Sequence, residues 1–353
     1  MNDYPTSANG QYELASNLSH LDEFGITIDE ATAAYYISKA IELGHAEILK
    51  CFGGIYKTGR HGIPKDKKKA VFLYTEAVRQ YLKDIDLGSA DAMIGLSTCY
   101  IGGSGVRKDL KMCDYWSLKA AEQYAKDAER GDAHALYYLS ILYTQYIMKD
   151  INKARICLLR AAELGSLAAQ LRLGQQYCEA GYLEFPQDLN KAIYWYTKAA
   201  EQNRFECYAN YSSTCSAEAQ RELGDKYYGG WHGFPKDIDK AIYWYTKADA
   251  AYSGGKYRHV DIYAAIAADN LGEIYAKGNG VSIDKEKASY WYTKAAEQGR
   301  VYLKYQIGLK YYQGDGVPKD VEKAKRLITL AAERGEEDAQ KALKRLSKGK
   351  SPV

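Results

Sequence analysis

Histidines, cysteines, paired carboxylates and glycine-rich turns are the parts of this chain that could do chemistry, and their spacing argues against most of it. The six histidines, His20, His45, His61, His134, His232 and His259, lie far apart and at different phases of the surrounding pattern. A metal centre needs three or four ligands converging within a few ångströms, so no metal site is expected. The seven cysteines, Cys51, Cys99, Cys113, Cys157, Cys178, Cys207 and Cys215, contain no Cys-x-x-Cys and read as reduced thiols in small core or loop sites. Cys207 and Cys215 are the one pair worth testing for a bridge. No Walker sequence, His-Glu-x-x-His or Gly-x-Ser-x-Gly is present. The Gly-x-Gly segments join helical patterns instead of following a strand, which makes them turn glycines and not phosphate loops. Glu336-Glu337 is a solvated helix end, and Asn17-Leu18-Ser19 and Asn210-Tyr211-Ser212 match glycosylation acceptors without a secretory signal. The expectation is a chain with no catalytic, cofactor-binding or metal-binding residues.

Bulk properties narrow the partners. The formal net charge is +3, with Lys and Arg interleaved with Asp and Glu along the helical stretches. That is a mixed solvated face, so nucleic acid is not expected. Lys341, Lys344, Arg345, Lys348 and Lys350 form the one basic excess, read as a soluble cap in preference to a phosphate or membrane contact. No run of eighteen apolar residues exists, and Met1 to Gln11 has neither a basic start nor an apolar core. A cytoplasmic protein is expected, with signal-independent secretion left open.

The elements that carry these residues are repeats. Lys191-Ala192-Ile193-Tyr194-Trp195-Tyr196-Thr197-Lys198-Ala199-Ala200-Glu201-Gln202 returns nearly letter for letter at Lys240 to Lys247 and at Lys287 to Gln298. Its apolar and small residues recur at three and four residue steps, the mark of a helix with one buried face. Call it helix B. Before it stands a helix A such as Ala217 to Tyr228, and between them runs a Gly-x-Gly-Val-x-x-Asp type loop at Gly103 to Asp109, Gly278 to Asp284 and Gly314 to Asp320. Glycine ends the first helix and Asp caps the second. A glycine inside helix A recurs at Gly53, Gly174, Gly224, Gly272 and Gly308. Because glycine weakens a helix by about 1 kcal/mol, it is read as the point of closest approach of helix B.

The leucine-like position of helix A falls at Phe52, Leu96, Leu139, Leu173, Leu223, Leu271, Ile307 and Leu343, at steps of 34 to 50 residues. A period near 36 with insertions accounts for them. The inserted segments, Tyr81 to Leu87, Tyr124 to Glu129, Asn203 to Cys215 and Ala251 to Val260, all follow a helix B. They read as longer helices plus tolerated loops, or as a binding edge with Tyr208, Tyr211, Tyr252, Tyr257 and His259.

The three-part pattern of Ala-x-Ala-x-x-x-Leu-Gly-x-x-Tyr, the Gly-x-Gly-Val loop and Lys-Ala-x-x-Trp-Tyr-x-Lys-Ala-Ala-Glu-Gln-Gly resembles the Sel-1-like repeat, a relative of the tetratricopeptide repeat. The resemblance implies an all-α, right-handed α-solenoid of about seven helix-loop-helix repeats with terminal capping helices. Its divisions are a polar N-terminal cap over 1–28, a single elongated solenoid over 29–348 and a disordered tail over 349–353. Ser97 and Ser140 depart from the pattern in place of the glycine, and a shortened loop at Met148-Lys149-Asp150 makes the third unit irregular. Cysteine-rich secreted members staple helix A to helix B, and the cysteines here do not follow that spacing.

By analogy with tetratricopeptide solenoids, helices A line a concave groove. Counting along helix A gives Asp91 and Ile94 in the second unit and His134, Tyr137 and Ile141 in the third. It gives Glu218, Arg221, Asp225 and Tyr228 in the fifth, and Tyr302, Tyr305 and Tyr312 in the seventh. Exposed aromatics beside charge are what protein-recognition hot spots are made of; the alternative is that these side chains pack against the next repeat. What the resemblance implies is a non-catalytic adaptor of bacterial type, monomeric, binding a protein or an extended peptide segment. The alternatives are an immunity or inhibitor protein that occludes a toxic enzyme, and a β-lactamase-like or penicillin-binding activity.

Overall fold

A computed structural model describes residues 30–60, 62–144, 149–179, 183–202, 205–207, 213–252, 258–299 and 301–352; of 205–207, 213–215 and 258–260 only the backbone is described. The expected cap at 1–28, both glycosylation acceptors, His20, His61, Met148, Tyr208, Tyr211, Tyr257 and the His259 side chain lie outside the described residues. In chain order the helices are α1 (Glu30–Leu43), α2 (Ala46–Thr58), α3 (Lys67–Asp86), α4 (Ala90–Gly102), α5 (Leu110–Glu129), α6 (Ala133–Thr144), α7 (Ile151–Glu163) and α8 (Leu167–Cys178). They continue as α9 (Leu189–Glu201), α10 (Ser216–Gly229), α11 (Ile238–Ala250), α12 (Arg258–Lys277), α13 (Lys285–Gln298), α14 (Val301–Gln313), α15 (Val321–Glu333) and α16 (Glu337–Leu346). Two three-residue strands, β1 (Phe205–Cys207) and β2 (Ser213–Cys215), pair within one insertion, where no strand was expected.

The residues that repeat are those that close each hairpin. The backbone N–H groups of Asp66, Asp109, Asp150, Asp188, Asp237, Asp284 and Asp320 donate to the carbonyls of Tyr56, Tyr100, Tyr143, Tyr177, Tyr227, Tyr275 and Tyr311 on the preceding helix A, at 2.9–3.1 Å. Each Asp side chain also accepts from a backbone N–H in the first turn of helix B. Such a cap stabilises a helix by about 1 kcal/mol. Except after Asp109, where Met112 takes the place, a lysine in the first turn of helix B then lies over the same tyrosine ring, as with Lys240 on Tyr227 at 5.1 Å and Lys287 on Tyr275 at 5.2 Å. One Asp, one Lys and one Tyr thus fix both helix ends in six of these seven hairpins, the third repeat included, where Asp150 keeps its role after the shortened loop.

The helix A glycines are where helix B comes closest. A Cβ on Gly53 would stand 2.8 Å from the ring of Tyr74, and on Gly224 or Gly272 2.5 or 2.6 Å from Tyr245 or Tyr292. Where serine replaces glycine, the facing residue shrinks. Ser97 meets Ser117 instead of a tyrosine, the two hydroxyls 2.9 Å apart, with the Cys113 thiol 3.3 Å away. The register that places Tyr74 opposite Gly53 puts buried Leu158 opposite Ser140. In the first loop of this type, Gly105 has φ +74°, and a Cβ there would meet the carbonyl of Tyr74 at 2.4 Å, so only glycine fits.

Two of the four insertions are extra helical turns. α3 and α5 run for 20 residues each, where α7, α9, α11 and α15 run for 13. The added turns carry Tyr81 and Tyr124 back to helix A, where their hydroxyls donate to Glu47 and Asp91. The chain end also folds back. Gly349 turns with φ +68°, Arg345 Nε donates to the Ser351 carbonyl at 2.8 Å and Pro352 is buried, so the residues expected to form a disordered tail are bonded to α16 as far as Ser351.

The described residues form two units. The first holds α1 to α8, α9 as far as Trp195, and most of the strand pair; the second holds the rest of α9 and α10 to α16. Its last hairpins close over two apolar clusters, one centred on Tyr292, Ile307, Tyr311 and Val317, the other on Tyr305, Ile328, Ala331 and Ala339.

Candidate partner-binding surface

The expected groove residues divide sharply. Ile94, Tyr137 and Tyr305 are each only 8% exposed, which corrects their assignment to an open surface. All three stand two residues before the leucine-like position, so that position packs inward; Tyr305 does so among Val301, Ile328 and Ala331. In the first unit, Asp91 accepts from Tyr124 and lies 4.0 Å from His134 Nε2, while His134 sits edge-on to Tyr138 at 4.7 Å. Ile141 is half-buried. Asp91 and His134 are therefore brought together, but largely by packing duties.

In the second unit, Glu218, Arg221 and Asp225 form one network on successive turns of α10. Arg221 pairs with Asp225, stands 3.5 Å from Glu222 and covers the ring of Tyr263 on α12 at 5.6 Å. Asp225 Oδ1 accepts from the Tyr245 hydroxyl at 2.7 Å and from Asn270 Nδ2 at 3.0 Å. The Tyr228 hydroxyl accepts from Asn279 Nδ2 at 2.7 Å. On α14, Tyr302 is 57% exposed, and half-buried Tyr312 has Lys319 over its ring at 5.9 Å.

Burial sets the electrostatics. Loss of solvent, then the neighbouring Glu222, pushes the Glu218 carboxyl up to about 7. Burial also raises Asp225, against the pull of Arg221, and lifts Asp269 on α12 to about 6. Burial raises the Cys99 thiol to about 11, which makes it inert as a nucleophile. None of the five described cysteine side chains forms a disulfide, and those of Cys207 and Cys215 lie outside the described residues. Among the described residues no group of three or more His, Cys, Asp or Glu is placed to hold a metal ion.

Counting along helix A missed Tyr263, Asp269 and Asn270, because the contacts that matter cross from one helix A to the next. It also missed a second class of exposed residue. Tyr115, Tyr194, Tyr243 and Tyr290 on helices B are 47–57% exposed, each edge-on to the tryptophan beside it at 4.9–5.1 Å. The Tyr-Trp pair that recurs in four of the helices B could have signalled them, since adjacent residues on a helix cannot both face the core.

The profile of the Sel1 repeat matches eight segments, 8–45, 53–81, 90–124, 133–166, 167–203, 217–248, 265–299 and 304–336. The chain belongs to the Sel1 repeat family. The first match covers residues expected to be a polar cap and a lone helix, which brings the count to eight where about seven repeats were expected. The all-α solenoid class follows from the repeats. Sel1 repeat proteins mediate protein–protein interaction, and the family is generally non-catalytic. No described helix is long and apolar enough to cross a membrane.

Known proteins resemble this Sel1 repeat chain at modest levels. A 79-residue stretch is 30% identical to Chitin synthase regulatory factor 4 of Schizosaccharomyces pombe, covering 22% of this chain and 11% of that protein. The chain thus spans about a tenth of the length of this relative. A Sel1 repeat protein from Oxalobacter formigenes is 25% identical with a TM-score of 0.49, covering 97% of this chain and 88% of that one. An immunity protein from Pseudomonas aeruginosa is 18% identical with a TM-score of 0.38, over 64% of this chain and 77% of that one.

Proposed function

We propose that this chain is a non-catalytic scaffold that holds another protein, or an extended segment of one, on its helices A. The observation that carries this reading is the second unit's surface of charged and aromatic side chains, Glu218, Arg221, Asp225, Tyr228 and Tyr302, which the fold leaves partly open to solvent. Tyrosine and arginine dominate binding hot spots because they bury large areas at low conformational cost while keeping a polar tip. A preformed surface lowers the ordering cost of association. We further propose that the protein acts in the cytoplasm as a monomer.

The test is affinity purification of the tagged full chain from its native cell, followed by mass spectrometry, beside a variant carrying Tyr228→Ala and Tyr302→Ala. Neither ring is part of the apolar core, so the variant folds. The expected result is a partner retained by the natural chain and depleted at least about tenfold by the variant, the loss of one or two hot-spot residues. Undiminished capture by a variant with native circular dichroism refutes the assignment of this surface.

A further inference from the structure

We infer that the junction between helices A in the second unit is a pH-responsive element, tightest while Glu218 and Asp269 hold their protons and looser once they ionise. The place in the fold is specific. The position two residues before the leucine-like residue packs inward at Ile94, Tyr137 and Leu171 in the first unit and at Tyr305 on α14, while on α2 it holds Lys50, paired with Glu47. On α10 and α12 the same position holds Arg221 and Asp269. Two successive repeats have thus put charge where their neighbours put apolar packing.

That charge is incompletely matched. Asp269 Oδ1 is sealed from solvent and has no hydrogen-bond partner among the described residues, and Arg221 Nε is in the same condition. The groups facing Asp269 are Glu273 on its own helix, Tyr292 on α13 and Lys310 on α14. Glu273 is itself paired with Lys277 at 2.6 Å. Lys310 lies over the Tyr292 ring at 4.8 Å and makes no ion pair with Asp269 among the described residues. Glu218 faces Arg221 and Glu222 on its own helix and accepts a hydrogen bond from Tyr263 on α12, which only partly offsets its burial. Arg221 is already committed to Asp225, which also takes the Tyr245 hydroxyl and Asn270, with Lys226 near it. Arg221, with Lys226 beside Asp225, therefore faces three carboxylates, Glu218, Glu222 and Asp225. A sealed carboxylate with no ion pair, as at Asp269, is costly when ionised and cheap when protonated.

Both carboxyls titrate above the usual carboxylate range, Asp269 at about 6 and Glu218 at about 7, with burial the largest cause for each. A raised pKa means the folded state holds protons that the unfolded chain has released. The stabilisation is complete below the ordinary carboxylate value and is lost as pH rises through about 6 and then about 7. The surface bearing Arg221, Asp225 and Tyr228 is attached to this junction, so its rigidity follows the same titration. The inference does not depend on what the surface binds.

Hydrogen exchange of the full chain at pH 5.5 and pH 7.5, corrected for the intrinsic pH dependence of amide exchange, measures this directly. Protection in α10 and α12 is expected to fall by about tenfold or more between the two values, while α4 and α6 stay within about twofold. In the Glu218→Gln, Asp269→Asn double variant the fall is expected to disappear. A fall that persists in the folded variant, or one shared equally by α4 and α6, overturns the inference. Should the variant not fold, carbon NMR titration of the carboxyls in the natural chain decides: resonances of Glu218 and Asp269 moving above pH 5.5 support it, and both moving near pH 4 overturn it.

Discussion

Gly53 and Gly54 are neighbours in α2, and replacing each by alanine should move stability in opposite directions. Both substitutions remove the same backbone freedom from the unfolded chain and add the same helix propensity, a gain of about 1 kcal/mol in a helix interior. They differ in what the new methyl meets. At Gly54 the nearest atom is the Tyr74 hydroxyl at 3.7 Å, an ordinary contact. At Gly53 the methyl would stand 2.8 Å from two ring carbons of Tyr74, where contacts of about 3.5–4.0 Å are normal. The ring has little room to yield: it is 9% exposed, its hydroxyl is held by Ser104, and the carbonyl of the same residue rests against Gly105. Overpacking of this kind costs roughly 1–3 kcal/mol. Gly54→Ala should therefore stabilise by about 1 kcal/mol and Gly53→Ala should lose up to about 2 kcal/mol. Their difference isolates the steric cost, because propensity and unfolded-state effects cancel. Amide exchange of α2 and α3 gives the local opening free energy, and urea midpoints give an independent ranking. If the two variants agree within about 0.5 kcal/mol, below the low end of the overpacking range, the helix A glycine is not a packing requirement.

Other expectations follow from the same geometry. Lys304 is buried with its ammonium donating to the Ala296 and Gly299 carbonyls, at a position where Gln170, Gln220 and Gln340 make the equivalent bond to Ala162, Ala200 and Ala332. Burial pulls its pKa down to about 8. The folded state thus holds fewer protons than the unfolded chain between about 8 and the ordinary lysine value, so stability should rise with pH over that window. Lys304→Gln should remove the rise while keeping the cap, which thermal melts from pH 7 to pH 10 would show. Purified protein should hydrolyse nitrocefin no faster than buffer, since no nucleophile, base and oxyanion site converge in the surface described; turnover above background would reverse the non-catalytic reading.

Much of the fold was legible because the same three side chains recur in register. The Asp that caps helix B, the Lys one turn on and the helix A tyrosine are local signals, and each acts within a hairpin of about 30 residues. The glycine was equally legible, since a helix breaker inside a strong helical pattern needs a compensating contact. The strand pair at Phe205–Cys207 was not, because three-residue strands in a polar insertion have no periodicity to read. The surface was legible only in part. Counting named Glu218, Arg221 and Asp225, which the structure joins in one network on α10, yet it treated Ile94, Tyr137 and Tyr305 as equivalent to Arg221 and open to solvent.

Sequence alone determined the repeat, its loop chemistry and the absence of familiar catalytic motifs, because these depend on residues close together in the chain. Tertiary structure decided which side of helix A each residue faces and which charges are satisfied, because both depend on how closely the next helix A approaches. Packing of helix A on its own helix B turns Ser97 and Ser117 into a matched pair, and packing against neighbouring helices buries Tyr305 and leaves Asp269 without a hydrogen bond on its inner oxygen. Periodicity gives the angle of a side chain around its own helix; only packing gives the distance to the neighbour, and burial and ionisation follow from that distance.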